Sequence, residues 1–349
     1  INSQGGLLGR PVQLIKYDPQ SNIQFYTQFA TQAATRDRVS AVFGGVTSAS
    51  REAIRPILRR YKTPYFYPSL YEGGVCDRNS FEIGTTPAQT VARIIPYAVK
   101  SWGKKIYVIA ADYNFGHISA DWVRKYAGDA GAEVIATEYF PLDVTDFGAT
   151  IKKIQDAKPD MVFSLLVGGN HISFFRQWAA AGMVGQIPIA SSDFGVGNEN
   201  RILTPKESEG ILAAYAYFQE LDTPVNQQFL ARLKAKFGDK TPYINETAID
   251  GWYAVMHWAN GVRMANSDER MPMIEALEKG STVDGPGGIS RLDPATHHFT
   301  VDIYLGQVKD GAWNIIESYP QQPPSDTAAV CNLITHPDDN QQYVIKAGG

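Results

Sequence analysis

Between residues 41 and 215 the sequence alternates short apolar runs with stretches of helical apolar spacing, and this constrains the fold more than any other feature. Runs at 41–45, 64–68, 105–111, 133–140, 161–166, 187–191 and 211–215 read as strands, and 12–17 reads as another ahead of them. The stretches 23–37, 50–60, 87–102, 118–130, 147–157 and 171–181 repeat apolar residues at helical intervals, with Pro87 placed in a first turn. A parallel strand pair needs a long crossover, usually a helix, so this alternation predicts an α/β fold of doubly wound parallel sheets. After Tyr217 the pattern changes. Three helices are expected at 224–237, 245–265 and 271–278, then a β-rich stretch at 289–318 broken at Asp293-Pro294 and Asp310-Gly311. The tail from Gln321 is rich in Pro, Asp and Asn and has little periodicity.

A chain of 349 residues is too long for one comfortable core, which predicts two lobes. The formal charge of −4 is mild, and no Lys/Arg run tracks a phosphate backbone, so nucleic acid is not an expected partner. No apolar stretch reaches membrane-spanning length. The two cysteines, Cys76 and Cys331, permit one disulfide, which would suit an oxidising compartment. They can equally be two unrelated buried thiols, because spacing does not supply the geometry. The opening Ile1-Asn2-Ser3-Gln4-Gly5-Gly6 reads as the middle of a domain, with no first strand before that turn.

In open α/β sheets, ligands bind beyond the carboxyl ends of the strands. One such end is Gly44-Gly45-Val46-Thr47-Ser48-Ala49-Ser50, where glycines allow close approach and a helix start offers free N–H groups. Ser50 reads as the helix cap and Ser48 as a ligand contact. Tyr67 and Ser69 share one face of the next strand end, while Tyr65 reads as core. A tyrosine gives a small polar solute an apolar wall with one polar tip. Asp112-Tyr113-Asn114-Phe115 follows the 105–111 strand, so Tyr113 and Phe115 are further candidates. Gly168, Gly169 and Asn170 hold the equivalent place after 161–166. Asp193 does so after 187–191, as an acid placed to accept from an N–H or ammonium group.

Catalytic readings find little support. The sequence has no GxSxG elbow, no P-loop, and no nucleophile with a signalled base. His297-His298 lacks the i, i+4 spacing of a helical metal pair and reads as exposed turn residues. Asp143 and Asp146 read as loop and capping residues.

Gly6-Leu7-Leu8-Gly9-Arg10-Pro11-Val12 resembles the turn before the second strand in type I periplasmic solute-binding proteins of the branched-chain amino acid class. Tyr67-Pro68-Ser69-Leu70-Tyr71-Glu72-Gly73, Asp112-Tyr113, Phe140-Pro141-Leu142-Asp143 and Gly285-Pro286-Gly287 resemble the urea- and short-chain-amide-binding branch. Ser192-Asp193-Phe194-Gly195-Val196-Gly197-Asn198 is closer to the amino-acid binders. The resemblance covers the chain to about Tyr319. It implies a venus-flytrap fold with three crossovers, near 112–115, 215–219 and 303–306. It implies one lobe of 1–113 plus 217–303, whose first strand and helix are expected upstream of residue 1, a second of 114–216 plus 304–320, and a C-terminal extension of 321–349. It further implies a solute (urea, short amide or amino acid) held between lobes that close by a hinge, and docking on an ABC-transporter permease from the periplasm, with no cofactor. Ligand contacts at Ser48, Tyr67, Ser69, Tyr113 and Asp193 carry over, with Gly168 to Asn170 facing the solute. The amide-sensing regulator of that branch has an aromatic where this chain has Val46, which would enlarge the pocket. Such a cytoplasmic regulator, acting through a protein partner, is the alternative the resemblance leaves open.

Overall fold

The strand Lys105–Ala111 is buried from Ile106 onward, as its unbroken apolar run requires of a parallel strand covered on both faces. In the computed structural model, which describes residues 1–345, it lies between Glu133–Phe140 and Met161–Leu165, parallel to both. Met161–Leu165 then pairs with Ile189–Ser191, and Ile189–Ser191 with Leu212–Tyr215, again parallel. The sheet closes on the second half of His298–Lys309, antiparallel to Leu212–Tyr215. Helices Asn114–Asp129, Gly148–Ala157 and Gly169–Ala180 are the crossovers. The last sends Phe174, Phe175 and Trp178 into a core shared with Phe147.

This sheet belongs to one of two compact units, made chiefly of residues 86–246 and 302–322. The other unit comprises residues 1–85, 247–301 and 323–343. Its sheet runs Val42–Phe43, Tyr65–Tyr67, Ser80–Glu82 and the start of His298–Lys309, all parallel. Gly288–Asp293 and Thr282–Gly285 continue it antiparallel. Helices Ile23–Thr35 and Ser48–Arg60 pack together, with Ala30, Ile54 and Leu58 in a core against Tyr65 and Tyr67.

Several expectations need correction. The units divide at Thr85/Thr86 and Glu246/Thr247, not near 113 and 216. The helix Val91–Trp102 packs on Asn114–Asp129 and Leu212–Tyr215, so it joins their unit; amphipathic spacing alone does not say which sheet a helix covers. Residues 112–115 and 215–219, expected as crossovers, lie inside one unit, and the chain passes between units at 301/302 and 322/323. Residues 12–17 form no strand. Among the described residues no strand lies beside them, since Val42–Phe43 ends the sheet and pairs only with Tyr65–Tyr67. Leu14 is accordingly 74% exposed.

The tail is not a loose extension. It forms the helix Ser325–Ala328, and its strand Asn340–Gln342 pairs antiparallel with Val75–Asp77. Cys331 is bonded to Cys76, with Cα atoms 5.4 Å apart, inside the span a disulfide bridges. The last four residues of the expected extension, 346–349, lie outside the described residues.

Candidate functional site

In the first unit the strand end at Phe43 leads through Gly44 and Gly45 into the helix Ser48–Arg60. Thr47, not Ser50, caps that helix: its side chain accepts from the Ser50 N–H at 3.1 Å. Two tyrosines of the neighbouring strand pin the loop. The Tyr65 hydroxyl donates to the Gly44 carbonyl at 2.9 Å and the Tyr67 hydroxyl to the Val46 carbonyl at 2.5 Å. Gly45 has φ +83°, and a Cβ there would meet the Tyr65 hydroxyl at 2.8 Å, so the turn requires glycine. Val46 itself is half exposed, and Ser69 is buried beside the Tyr67 hydroxyl.

Ser48 is buried and commits its hydroxyl: Oγ donates to Glu72 Oε2 at 2.5 Å. Glu72 Oε1 takes Arg51 Nη2 at 3.1 Å, and both side chains of that ion pair are fully buried. Arg51 stacks over the rings of Tyr71 and Tyr67, 4.4 and 5.1 Å from their centroids. Burial alone would lower the Arg51 pKa, but Glu72, Tyr67 and Glu82 hold it well above its usual value. Sequence reasoning missed Arg51 and Glu72. The one available signal was that Arg51 lies one helical turn beyond Ser48.

In the second unit Tyr113 precedes the helix Asn114–Asp129, half-buried, with its ring 5.9 Å from that of buried Phe115. Gly168, exposed and at φ +67°, precedes the helix Gly169–Ala180. Asn170 is buried: Nδ2 donates to the Pro141 carbonyl at 2.9 Å, while Oδ1 has no hydrogen-bond partner. Asp193 follows the strand Ile189–Ser191. Its Oδ1 lies 2.9 Å from Ser191 Oγ, and its buried Oδ2 has no hydrogen-bond partner.

His171, which sequence reasoning passed over, stands between two acids. Its Nε2 is 3.9 Å from Asp193 Oδ1 and its Nδ1 is 3.5 Å from Glu199 Oε1. Burial raises the Asp193 carboxyl to about 7 against the pull of His171. Burial also disfavours the His171 cation, yet Asp193 and Glu199 together raise it above the usual histidine value. Beyond Gly195 and Val196 a small pocket is walled by Tyr215, Tyr217, Phe218, Tyr243 and Trp313.

The structure thus groups Ser48, Tyr67, Ser69 and Val46 at strand ends of one unit, and Tyr113, Phe115, Gly168, Asn170 and Asp193 at strand ends of the other. His297 and His298 are not exposed turn residues. His297 is buried against Phe81 with Nε2 3.1 Å from Glu278 Oε1, and His298 Nε2 is 2.5 Å from the Tyr71 hydroxyl. Among the described residues no helix is long and apolar enough to cross a membrane.

Two α/β units with mostly parallel sheets and solute-sized chemistry at their strand ends define a type I periplasmic binding protein fold. The sequence profile of the periplasmic binding protein family matches residues 1–312, and the chain belongs to that family. A Leu/Ile/Val-binding protein homolog of Brucella melitensis biotype 1 is 22% identical over 296 residues, 83% of this chain and 75% of that protein. The ABC-transporter solute-binding protein of Rhodopseudomonas palustris BisB5, solved with 3,4-dihydroxybenzoic acid, superposes with a TM-score of 0.82 at 20% identity, covering 93% and 90% of the two chains. A leucine-binding protein of Thermotoga maritima MSB8 gives a TM-score of 0.78 at 21% identity over 91% of each chain. These two likenesses are of fold.

Proposed function

We propose that this protein is the extracytoplasmic solute-binding component of an ABC uptake transporter, catalysing no reaction, and that its solute is a small amino-acid-like molecule. The family supports the transport role, and the Cys76–Cys331 bond supports an oxidising compartment over a cytoplasmic regulator.

The observation that carries the solute class is Asp193 Oδ2, a buried carboxylate oxygen without a hydrogen-bond partner. Such an oxygen is costly unless a donor reaches it, and a solute ammonium or amide N–H is that donor. In the same unit Tyr113, Phe115, Gly168 and Asn170 are the further proposed contacts; in the other unit Ser69 and the backbone N–H groups at the start of Ser48–Arg60 are the proposed partners of a solute oxygen.

A second reading, a hydroxylated aromatic acid, is favoured by the aromatic pocket beside Gly195. A thermal-shift panel of L-leucine, acetamide, urea and 4-hydroxybenzoate separates the readings, because ligand binding raises apparent stability. Asp193→Ala should weaken the bound panel member by roughly tenfold or more, about 1.4 kcal/mol. Unchanged affinity in calorimetry removes Asp193 from the site.

A further inference from the structure

The segment 323–343 folds back on the strand-end loop that carries Glu72, and it is anchored at many points. Cys331 is bonded to Cys76, and the strand Asn340–Gln342 pairs with Val75–Asp77. Thr327 Oγ1 accepts from the Gly74 N–H at 3.0 Å, and the Tyr343 N–H donates to the Gly74 carbonyl at 2.8 Å. The helix Ser48–Arg60 also grips this segment. Arg55 Nη1 donates to the Asn340 carbonyl at 2.8 Å, Arg59 Nη1 to the Asp339 carbonyl at 3.0 Å, and Arg59 Nη2 to the Asp338 carbonyl at 2.8 Å.

One contact gives this strap a role beyond holding. Gln342 Nε2 donates to Glu72 Oε1 at 2.5 Å. The same oxygen takes Arg51, and the other oxygen of Glu72 takes the Ser48 hydroxyl. A carboxylate with two acceptor oxygens and several competing donors is oriented by all of them at once. The order Gln342, Glu72, Ser48 therefore runs from the strap to the first turn of the solute-site helix.

We propose that the C-terminal strap sets the solute site of its unit: Gln342 is a positioning residue that fixes Glu72, Glu72 fixes Ser48 and Arg51, and Cys76–Cys331 is the latch. The proposal rests on the reading of the Ser48 loop as a solute contact. It accounts for a polar residue near the end of the chain donating to an acid 270 positions earlier in sequence.

The test is a double-mutant cycle on solute affinity, with L-leucine as the probe in calorimetry of the full chain. Gln342→Ala should weaken binding several-fold while the melting temperature moves by no more than about 2 °C. Gln342→Glu, which sets a second carboxylate against Glu72, should weaken it further. Ser48→Ala should weaken binding, and the double variant Ser48→Ala/Gln342→Ala should be no weaker than Ser48→Ala alone, because the two act in series. Cys331→Ser should reproduce at least the Gln342→Ala loss; if that variant does not fold, the two Gln342 variants still decide. Unchanged affinity in Gln342→Ala, or effects of Ser48 and Gln342 that multiply, overturns the proposal. Loss of affinity in Asp193→Ala with none in Ser48→Ala overturns the strap and leaves the functional reading standing. Coupling between Ser48 and Gln342 with an inert Asp193 does the reverse. If L-leucine gives no heat with the unaltered protein, the cycle is read with 4-hydroxybenzoate, and absence of both interactions overturns both statements.

Discussion

His171 Nε2 stands 3.9 Å from Asp193 Oδ1, and both side chains are buried in one unit. Glu199 faces the other side of the imidazole, Tyr215 is a further titratable group facing Asp193, and Ser191 donates a hydrogen bond to it. Burial raises Asp193 to about 7, and the neighbouring cation offsets this only in part.

An ammonium solute needs the ionised carboxylate, so affinity for L-leucine should rise with pH through about 7, being about tenfold weaker at pH 6 than at pH 8. Asp193→Asn should flatten the profile. Stability moves the other way. The folded value lies above the unfolded 3.8, so the contribution of Asp193 is full below 3.8 and is lost as pH rises through about 7. Calorimetry at the two pH values checks the first expectation, and a flat profile in the unaltered protein would exclude an ammonium on Asp193.

Glu278 gives the opposite sign. Its two oxygens take Arg78 Nε at 2.7 Å and Nη2 at 2.6 Å, and His297 Nε2 adds a contact at 3.1 Å. Burial raises its pKa, but Arg78 and His297 outweigh burial and bring it to about 2. The folded value lies below the unfolded 4.5, so the stabilisation is present above 4.5 and is lost as pH falls through about 2. Glu278→Gln should cost about 1–2 kcal/mol at pH 7, a figure reduced for the partial exposure of the pair. Urea unfolding should show the difference shrinking by about half at pH 3. An equal difference at both pH values would mean that packing, not charge, carries it.

Tyr67→Phe deletes the donor to the Val46 carbonyl. Loss of one hydrogen bond of this kind costs about 1 kcal/mol and a few degrees of melting temperature. The loop from Gly44 to Thr47 loosens, so solute affinity should fall by a few-fold together with stability. Weaker binding at an unchanged melting temperature would instead place the hydroxyl on the solute.

What could be read from the sequence follows from what each feature depends on. Lys105–Ala111 and Glu133–Phe140 were legible to the residue, because strand propensity and flanking turns are local. Residues 12–17 have a strand's composition, but a strand exists only beside a partner, and among the described residues none lies there. The strand-end rule led to Asp193 and Ser48 without a structure, since it depends only on topology. It could not reach their partners. Glu72 lies 21 positions from Arg51, and His171 lies 22 positions from Asp193, so only folding brings each pair together. The Cys76–Cys331 bond spans 255 positions and was equally invisible as geometry. The adjacent His297 and His298 looked like turn residues because they follow Asp293-Pro294, yet a strand begins at His298 and both rings go inward.

Gly74 tests the strap's attachment independently of any solute. Its φ is +92°, in the region that side chains other than hydrogen rarely adopt, and a Cβ there would fall 2.0 Å from the Tyr343 carbonyl oxygen. That oxygen is backbone, on the residue whose N–H donates to the Gly74 carbonyl, so it cannot swing aside as the end of a side chain would. Gly74→Ala must therefore displace the strand Asn340–Gln342 from Val75–Asp77, at a cost of about 2–4 kcal/mol. Gly73→Ala is the matched control: its φ of +84° is as strained, but the nearest atom to its Cβ is Thr327 Oγ1 at 3.4 Å. Backbone strain alone should limit its cost to about 1–2 kcal/mol. In hydrogen exchange, the amides of Asn340–Gln342 and Tyr343 should lose protection in Gly74→Ala, while those of Lys105–Ala111 in the other unit keep theirs. If the two variants prove equally costly and equally protected, the close approach of Tyr343 to Gly74 does not fasten the strap.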